Sequence, residues 1–219
     1  MAAPDIAGEG FPADLWPDVA PRVAPALVHL ELGASFSRVV LAADDLPGDD
    51  EAWYRLLPPR SSGDAPELVL SCHPDSFCRP RPLRSTEYPP RAIWEQRRAP
   101  RDDEPVERTE FAAARTDAFL HHHLLTLRDL LVGELADREL PAQRAEAFAA
   151  AWAVTVDGRL ERAGWPGFPL AERRARFSRL FSSAGIILPE HWQIFHALWD
   201  GALATRRDVA AIVRQLPRL

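Results

Sequence analysis

The prolines of this chain are unevenly placed, and that unevenness limits the fold more than any other feature. Of the 21 prolines, most fall in dense runs at 12–25, 58–66 and 80–105. Proline removes a backbone donor and fixes one dihedral, so such runs oppose long helices, whereas the proline-poor stretch from Val106 onward is free to form them. The chain therefore divides into a strand- and loop-rich part, 10–105, and a helical part, 106–219. At 219 residues both fit a single domain, 1–219, around one core. The expected class is α+β, with a small β-sheet in the N-terminal half packed with a C-terminal helical bundle.

Within the first part, Val28-His29-Leu30-Glu31-Leu32 alternates, and Ser37 to Leu41 and Leu68 to Cys72 are rich in apolar and β-branched residues. All three read as strands. Leu46 to Asp50 and Arg60 to Asp64 carry turn chemistry, and Trp53 to Leu57 reads as a short helical or extended segment. Arg79 to Glu104 is a Pro- and Arg-rich connector. Beyond it, helical periodicity places helices at about 106–132, 142–163, 170–184, 189–203 and 206–216. Gly133 and Gly164 act as stops, Pro141 and Pro189 sit in first turns, and Thr205 with Asp208 forms a capping box.

Composition excludes several functions. The net charge is −6, and all 26 basic residues are Arg, so a catalytic lysine is absent and nucleic-acid binding is not expected. No run approaches the roughly 18 apolar residues of a spanning helix, and the first ten residues do not read as a signal peptide, so no membrane association is expected. Cys72 and Cys78 match neither a zinc knuckle nor a redox pair, which suits a reducing, cytoplasmic setting. Gly-rich phosphate loops and the G-x-S-x-G elbow are absent. Trp16, Trp53 and Trp165 look exposed and suggest a protein partner or a homo-oligomer.

The strongest chemical lead lies on the helix carrying His121, His122 and His123. Winding 110–131 at about 100° per residue puts Leu120, Leu124, Leu127 and Leu131 on one face and Phe111, Ala118 and Leu125 nearly opposite. A narrow polar strip holds Asp117, His121 and Arg128. His122, His123, Thr126 and Asp129 fall among apolar neighbours and should be at least partly buried, where each needs a partner or a metal. On the next helix, Asp157 and Glu161 stand one turn apart, opposite the Phe148, Trp152, Val156 and Leu160 stripe. They are either a solvated face beside Arg159 and Arg162 or, if they meet the histidine helix, part of a nitrogen and oxygen site. The candidate metal ligands are thus His122, His123, Asp129, Asp157 and Glu161, and the candidate metals zinc, manganese or iron.

A strand-rich half followed by a histidine-bearing central helix resembles a zincin-type metallopeptidase. That family holds zinc with H-E-x-x-H, the glutamate activating water. The matching stretch is His122-His123-Leu124-Leu125-Thr126, which keeps the first ligand and replaces the glutamate by His and the second ligand by Thr. The resemblance, over about 26–132, implies a non-classical or inactive zincin-like metallohydrolase relative. The alternative is a helical interaction or regulatory module without catalytic activity. Three further patterns are expected to be structural. The Trp192, Phe195 and Trp199 stripe reads as core, His191 and His196 as capping or rim residues, and Arg173, Arg174, Arg176 and Arg179 as a solvated basic face.

Overall fold

In a computed structural model of the chain, the described residues are 3–46, 50–59, 61, 63–79, 110–133, 144–181 and 187–215. The order is β1 (Asp5–Glu9), α1 (Trp16–His29), β2 (Arg38–Ala43), β3 (Ala52–Leu57), β4 (Glu67–Cys72), a 3-10 turn at Pro74–Phe77, then α2 (Ala113–Leu131), α3 (Ala145–Ala163), α4 (Leu170–Phe181), α5 (Pro189–Trp199) and α6 (Arg206–Gln215). This is the expected α+β class. Most of the connector, Pro141 and the residues at 106–109 and 182–184 expected to be helical lie outside the described residues.

The sheet runs β1-β2-β4-β3, with β1, β2 and β4 parallel and β3 antiparallel at the edge. α1 supplies the crossover that a parallel β1–β2 pair requires. In β2 and β4, Val39, Leu41, Leu68, Leu70 and Cys72 belong to the main core cluster, which joins them to apolar residues of all six helices. The register pairs Tyr54 with Leu70, so the period-two alternation of β3 sends Tyr54 to the same face as Leu70, while Trp53 is 62% exposed. Trp16 and Trp165 are half-buried.

Two expectations for the N-terminal part need correction. The 12–25 proline run does not prevent a helix: α1 opens with a proline in its first turn and contains Pro21 and Pro25. Each interior proline removes a helical hydrogen bond, at about 3 kcal/mol. Burial of Val19, Val23, Ala26 and Leu27, spaced three or four residues apart, offsets that loss. The expected strand 28–32 is accordingly the end of α1 and its turn. Glu31 adopts φ 59°, which breaks the extended pattern, while Leu30 and Leu32 are buried on either side.

α3 packs against α2, α4, α5 and α6 and is buried almost throughout from Ala150 to Leu160. Its small residues permit that crowding. Gly158 lies where a Cβ would collide with the Trp199 carbonyl of α5. Gly164 ends α3 in the left-handed region at φ 72°, and the Thr205 and Asp208 capping box forms as expected. Phe195 and Trp199 are core residues, with Trp192 packed beside them.

Gly158→Ala should therefore lower stability by about 1–3 kcal/mol through overpacking of the α3–α5 contact. Gly33→Ala, where a Cβ meets nothing within 4 Å, serves as the near-neutral control in the same thermal or urea unfolding experiment.

Candidate functional site

Three consecutive residues on a helix point about 100° apart, so the His121, His122 and His123 run sends one imidazole toward each of three neighbours. All three are buried. His121 meets α1: its Nε2 is 3.0 Å from His29 Nδ1, and its Nδ1 is 2.7 Å from the Asp117 carbonyl. His123 meets β3: its Nδ1 is 2.7 Å from the Tyr54 hydroxyl, and its Nε2 is 3.2 Å from the Asp50 carbonyl. His122 faces α3, its Nδ1 being 3.1 Å from Asp157 Oδ1.

Asp157 is the anchor of this region. Its carboxylate is fully buried and accepts from His122 Nδ1, from the Phe168 amide at 3.0 Å and from Arg173 Nε. Arg173 is only 2% exposed, lies over the Phe168 ring, and reaches Asp50 with Nη1 at 3.2 Å. Arg176 binds the same Asp50 carboxylate. Two arginines and two aspartates thus balance in charge, and each buried ion is paired, as a low-dielectric interior demands.

The directions of proton affinity follow from that balance. Burial alone would raise the Asp157 carboxyl, but His122 and the Arg173 guanidinium beside it, both of which donate hydrogen bonds to it, hold it below the ordinary 3.8. Asp50, also partly desolvated, is held low by Arg176 and Arg173. Burial lowers His122, with Arg173 opposing its protonation further, and lowers His123 well below 6.5. Burial also raises the Tyr54 phenol, so it stays protonated.

These constraints fix the proton positions. The Asp50 carbonyl can only accept, so neutral His123 carries its proton on Nε2 and accepts from the Tyr54 hydroxyl at Nδ1. Ionised Asp157 likewise places the His122 proton on Nδ1. Arg173 Nη2, 3.3 Å from that nitrogen, can only donate and so competes for it, but the closer carboxylate at 3.1 Å decides for a protonated Nδ1 and leaves the His122 lone pair on Nε2. Among the described residues, no hydrogen bond engages His122 Nε2.

His122 contributes to the wall of a pocket of about 510 Å³ between β3, α2, α3 and α4. Trp53, Tyr54, Phe148 and Trp152 make it largely aromatic, and Asp50, Glu146 and Arg176 lie at its polar side. The indole nitrogen of Trp152 is buried and has no hydrogen-bond partner among the described residues. A pocket with these walls suits a flat or apolar group that offers one polar atom to His122.

Of the residues singled out from sequence, His122 and Asp157 come together, and His123 lies beside them with both nitrogens already bonded. Asp129 and Glu161 are placed elsewhere. Asp129 is buried against Arg159, with one Nη1–Oδ1 distance of 3.0 Å, and Glu161 is exposed and accepts from Trp199 Nε1 at 2.6 Å. Among the described residues, no three or more His, Cys, Asp or Glu side chains converge on one point. The Thr126 hydroxyl, at the second ligand position of the zincin pattern, donates to the His122 carbonyl at 2.9 Å. With the Arg173 guanidinium beside the one remaining imidazole, these groups do not fit a zincin zinc centre.

Arg173, Asp50 and Tyr54 were not legible as site residues. Arg173 belongs to a basic cluster expected to be solvated, and this expectation is corrected for three of its four members. Arg173 is in the core, Arg176 binds Asp50, and Arg174 donates to His196 Nε2 at 2.8 Å, while Arg179 is exposed. His191 accepts from the Leu188 amide at the start of α5, a capping role. Neither cysteine is a ready nucleophile: both are buried and free, and burial pushes the Cys72 thiol up to about 12. Compared with known proteins, the chain matches no family model, no curated protein and no solved structure.

Two outcomes test this description. Asp157→Asn should destabilise the protein by about 3–5 kcal/mol, because it leaves Arg173 buried with one partner fewer. The pH dependence has a defined sign. Because His122 and His123 take up a proton less readily folded than unfolded, stability should fall as pH drops below about 6.5, and His123→Gln should flatten that decline. A second loss should follow below about 3.8 as Asp157 and Asp50 protonate. Urea unfolding across pH 3–8 reads both.

Proposed function

We propose that the chain is an inactive relative of the zincin-like hydrolases, in which the former catalytic pocket serves to bind a small ligand. One observation carries this reading. His122 is oriented through Nδ1 by a buried carboxylate, the arrangement by which metal-ligating histidines are commonly held, and the same residue lines the pocket. The positions that the pattern gives to the general base and the second ligand, His123 and Thr126, have other bonds. His123 is held between Tyr54 and Asp50, and Thr126 is turned back onto the helix.

The pocket itself supports binding rather than hydrolysis. Trp53, Tyr54, Phe148 and Trp152 give it apolar walls, and among the described residues no group of three or more His, Cys, Asp or Glu that could hold a metal lies there. In this reading the ligand takes the place that a zinc, manganese or iron ion would hold at His122. A ligand would bury a flat apolar portion against Trp53, Phe148 and Trp152 and present a hydrogen-bond donor to His122 Nε2. The runner-up, an interaction module, draws on the exposed Leu131 and Val132 at the end of α2 and on Val28 of α1.

Comparing zinc uptake by calorimetry between the parent, His122→Ala and Thr126→His checks the reading. We expect His122→Ala to leave zinc uptake unchanged, and Thr126→His to add up to one equivalent by placing a second imidazole one turn from His122. Loss of a stoichiometric metal on His122→Ala would overturn it.

A further inference from the structure

On the opposite side of α2 from the pocket's Tyr54, a second pair of imidazoles meets across a helix boundary. His29 is the last residue of α1, and its Nδ1 lies 3.0 Å from Nε2 of His121. The other nitrogen of His121 is 2.7 Å from the Asp117 carbonyl, which can only accept. The His121 proton is therefore fixed on Nδ1, and Nε2 presents a lone pair to His29. Burial lowers the proton affinity of His121, so this lone pair is retained at neutral pH. In the unliganded pair the proton between the rings belongs to His29 Nδ1.

From this juxtaposition, we propose that His29 and His121 form a two-histidine site for a borderline divalent cation such as nickel or zinc, clamping α1 to α2. The geometry is close to what such an ion needs. Two nitrogens at about 2.0–2.1 Å from a tetrahedral metal stand about 3.3 Å apart, so the rings need to separate by a few tenths of an ångström and to tilt until both lone pairs turn off the N–N line toward the ion. The proton balance is simple: His29 shifts its proton from Nδ1 to Nε2, freeing the second lone pair, and no proton is released. The Asp117 carbonyl supplies the outer hydrogen bond that holds a ligating histidine in one orientation. His29 is exposed, which gives the ion an entry path and leaves its remaining positions to water.

The surrounding charges are compatible. The Asp117 carboxylate is paired with Arg22 at 2.6 Å, and Arg128 of α2 pairs with Glu31, so neither guanidinium is an unbalanced positive charge near the rings. Trp165 stacks on His29 with ring centres 5.9 Å apart and planes 5° from parallel. A paramagnetic ion bound to His29 would therefore sit close enough to quench the indole.

The test is a nickel titration of tag-free full chain, read by calorimetry and by tryptophan fluorescence. The expected result is one equivalent bound with partial quenching, weakened more than about tenfold in His29→Phe, which keeps a ring on Trp165 and changes an exposed residue. Trp165→Phe should abolish most of the quenching while the heat of binding persists. His121→Gln, with circular dichroism to verify folding, should weaken binding as His29→Phe does. No binding by the parent, or binding by His29→Phe equal to the parent's, would overturn the site. Because these variants leave His122 and its pocket untouched, failure here is distinct from failure of the ligand-binding reading.

Discussion

The ion pair between Arg173 and Asp157 is the constraint on which the rest of the site depends. Neither group could be buried alone, since an unpaired charge in a low-dielectric interior costs several kcal/mol. Together they tie α4 to α3, and each carries a further contact outward. Asp157 accepts from His122 and from the Phe168 amide, so it fixes α2 and the turn after α3. Arg173 reaches Asp50, which also receives Arg176, so Asp50, just before β3, is held as well. The elements around the pocket are thus tied together through this buried pair and the groups bonded to it.

That pair also decides what the histidines can do. Its negative end sets the tautomer of His122, and its positive end opposes protonation and competes with any cation. His123 is spent on orienting Tyr54 and the Asp50 backbone, which seats the edge strand against α2. His121 belongs to a different neighbourhood altogether. A run of three identical residues is therefore three separate devices, because a helix turns about 100° between them.

This is also why only part of the site was legible in the sequence. Periodicity identified α2 and α3, the burial of His122, His123 and Asp129 and the one-turn spacing of Asp157 and Glu161, because those properties are local to a helix. It did not show that Asp157 turns inward while Glu161 turns out, which depends on how α3 packs among four helices. Arg173 looked like one of four solvated arginines, since nothing within α4 reveals a carboxylate sixteen residues back. In the N-terminal part β2 and β4 were read correctly from their apolar runs. α1 was missed because the cost of its prolines is local and visible, whereas the burial that offsets it is tertiary. β1 was missed too, a short polar-flanked segment that becomes a strand only through its register with β2.

The most direct measurement is nitrogen-15 NMR of the His122 ring in the parent protein at pH 7. The expected spectrum is that of a neutral imidazole protonated at Nδ1, with a pyridine-like shift at Nε2 that zinc does not move. An Nε2-protonated tautomer, an imidazolium, or a zinc-dependent shift at His122 Nε2 would contradict it.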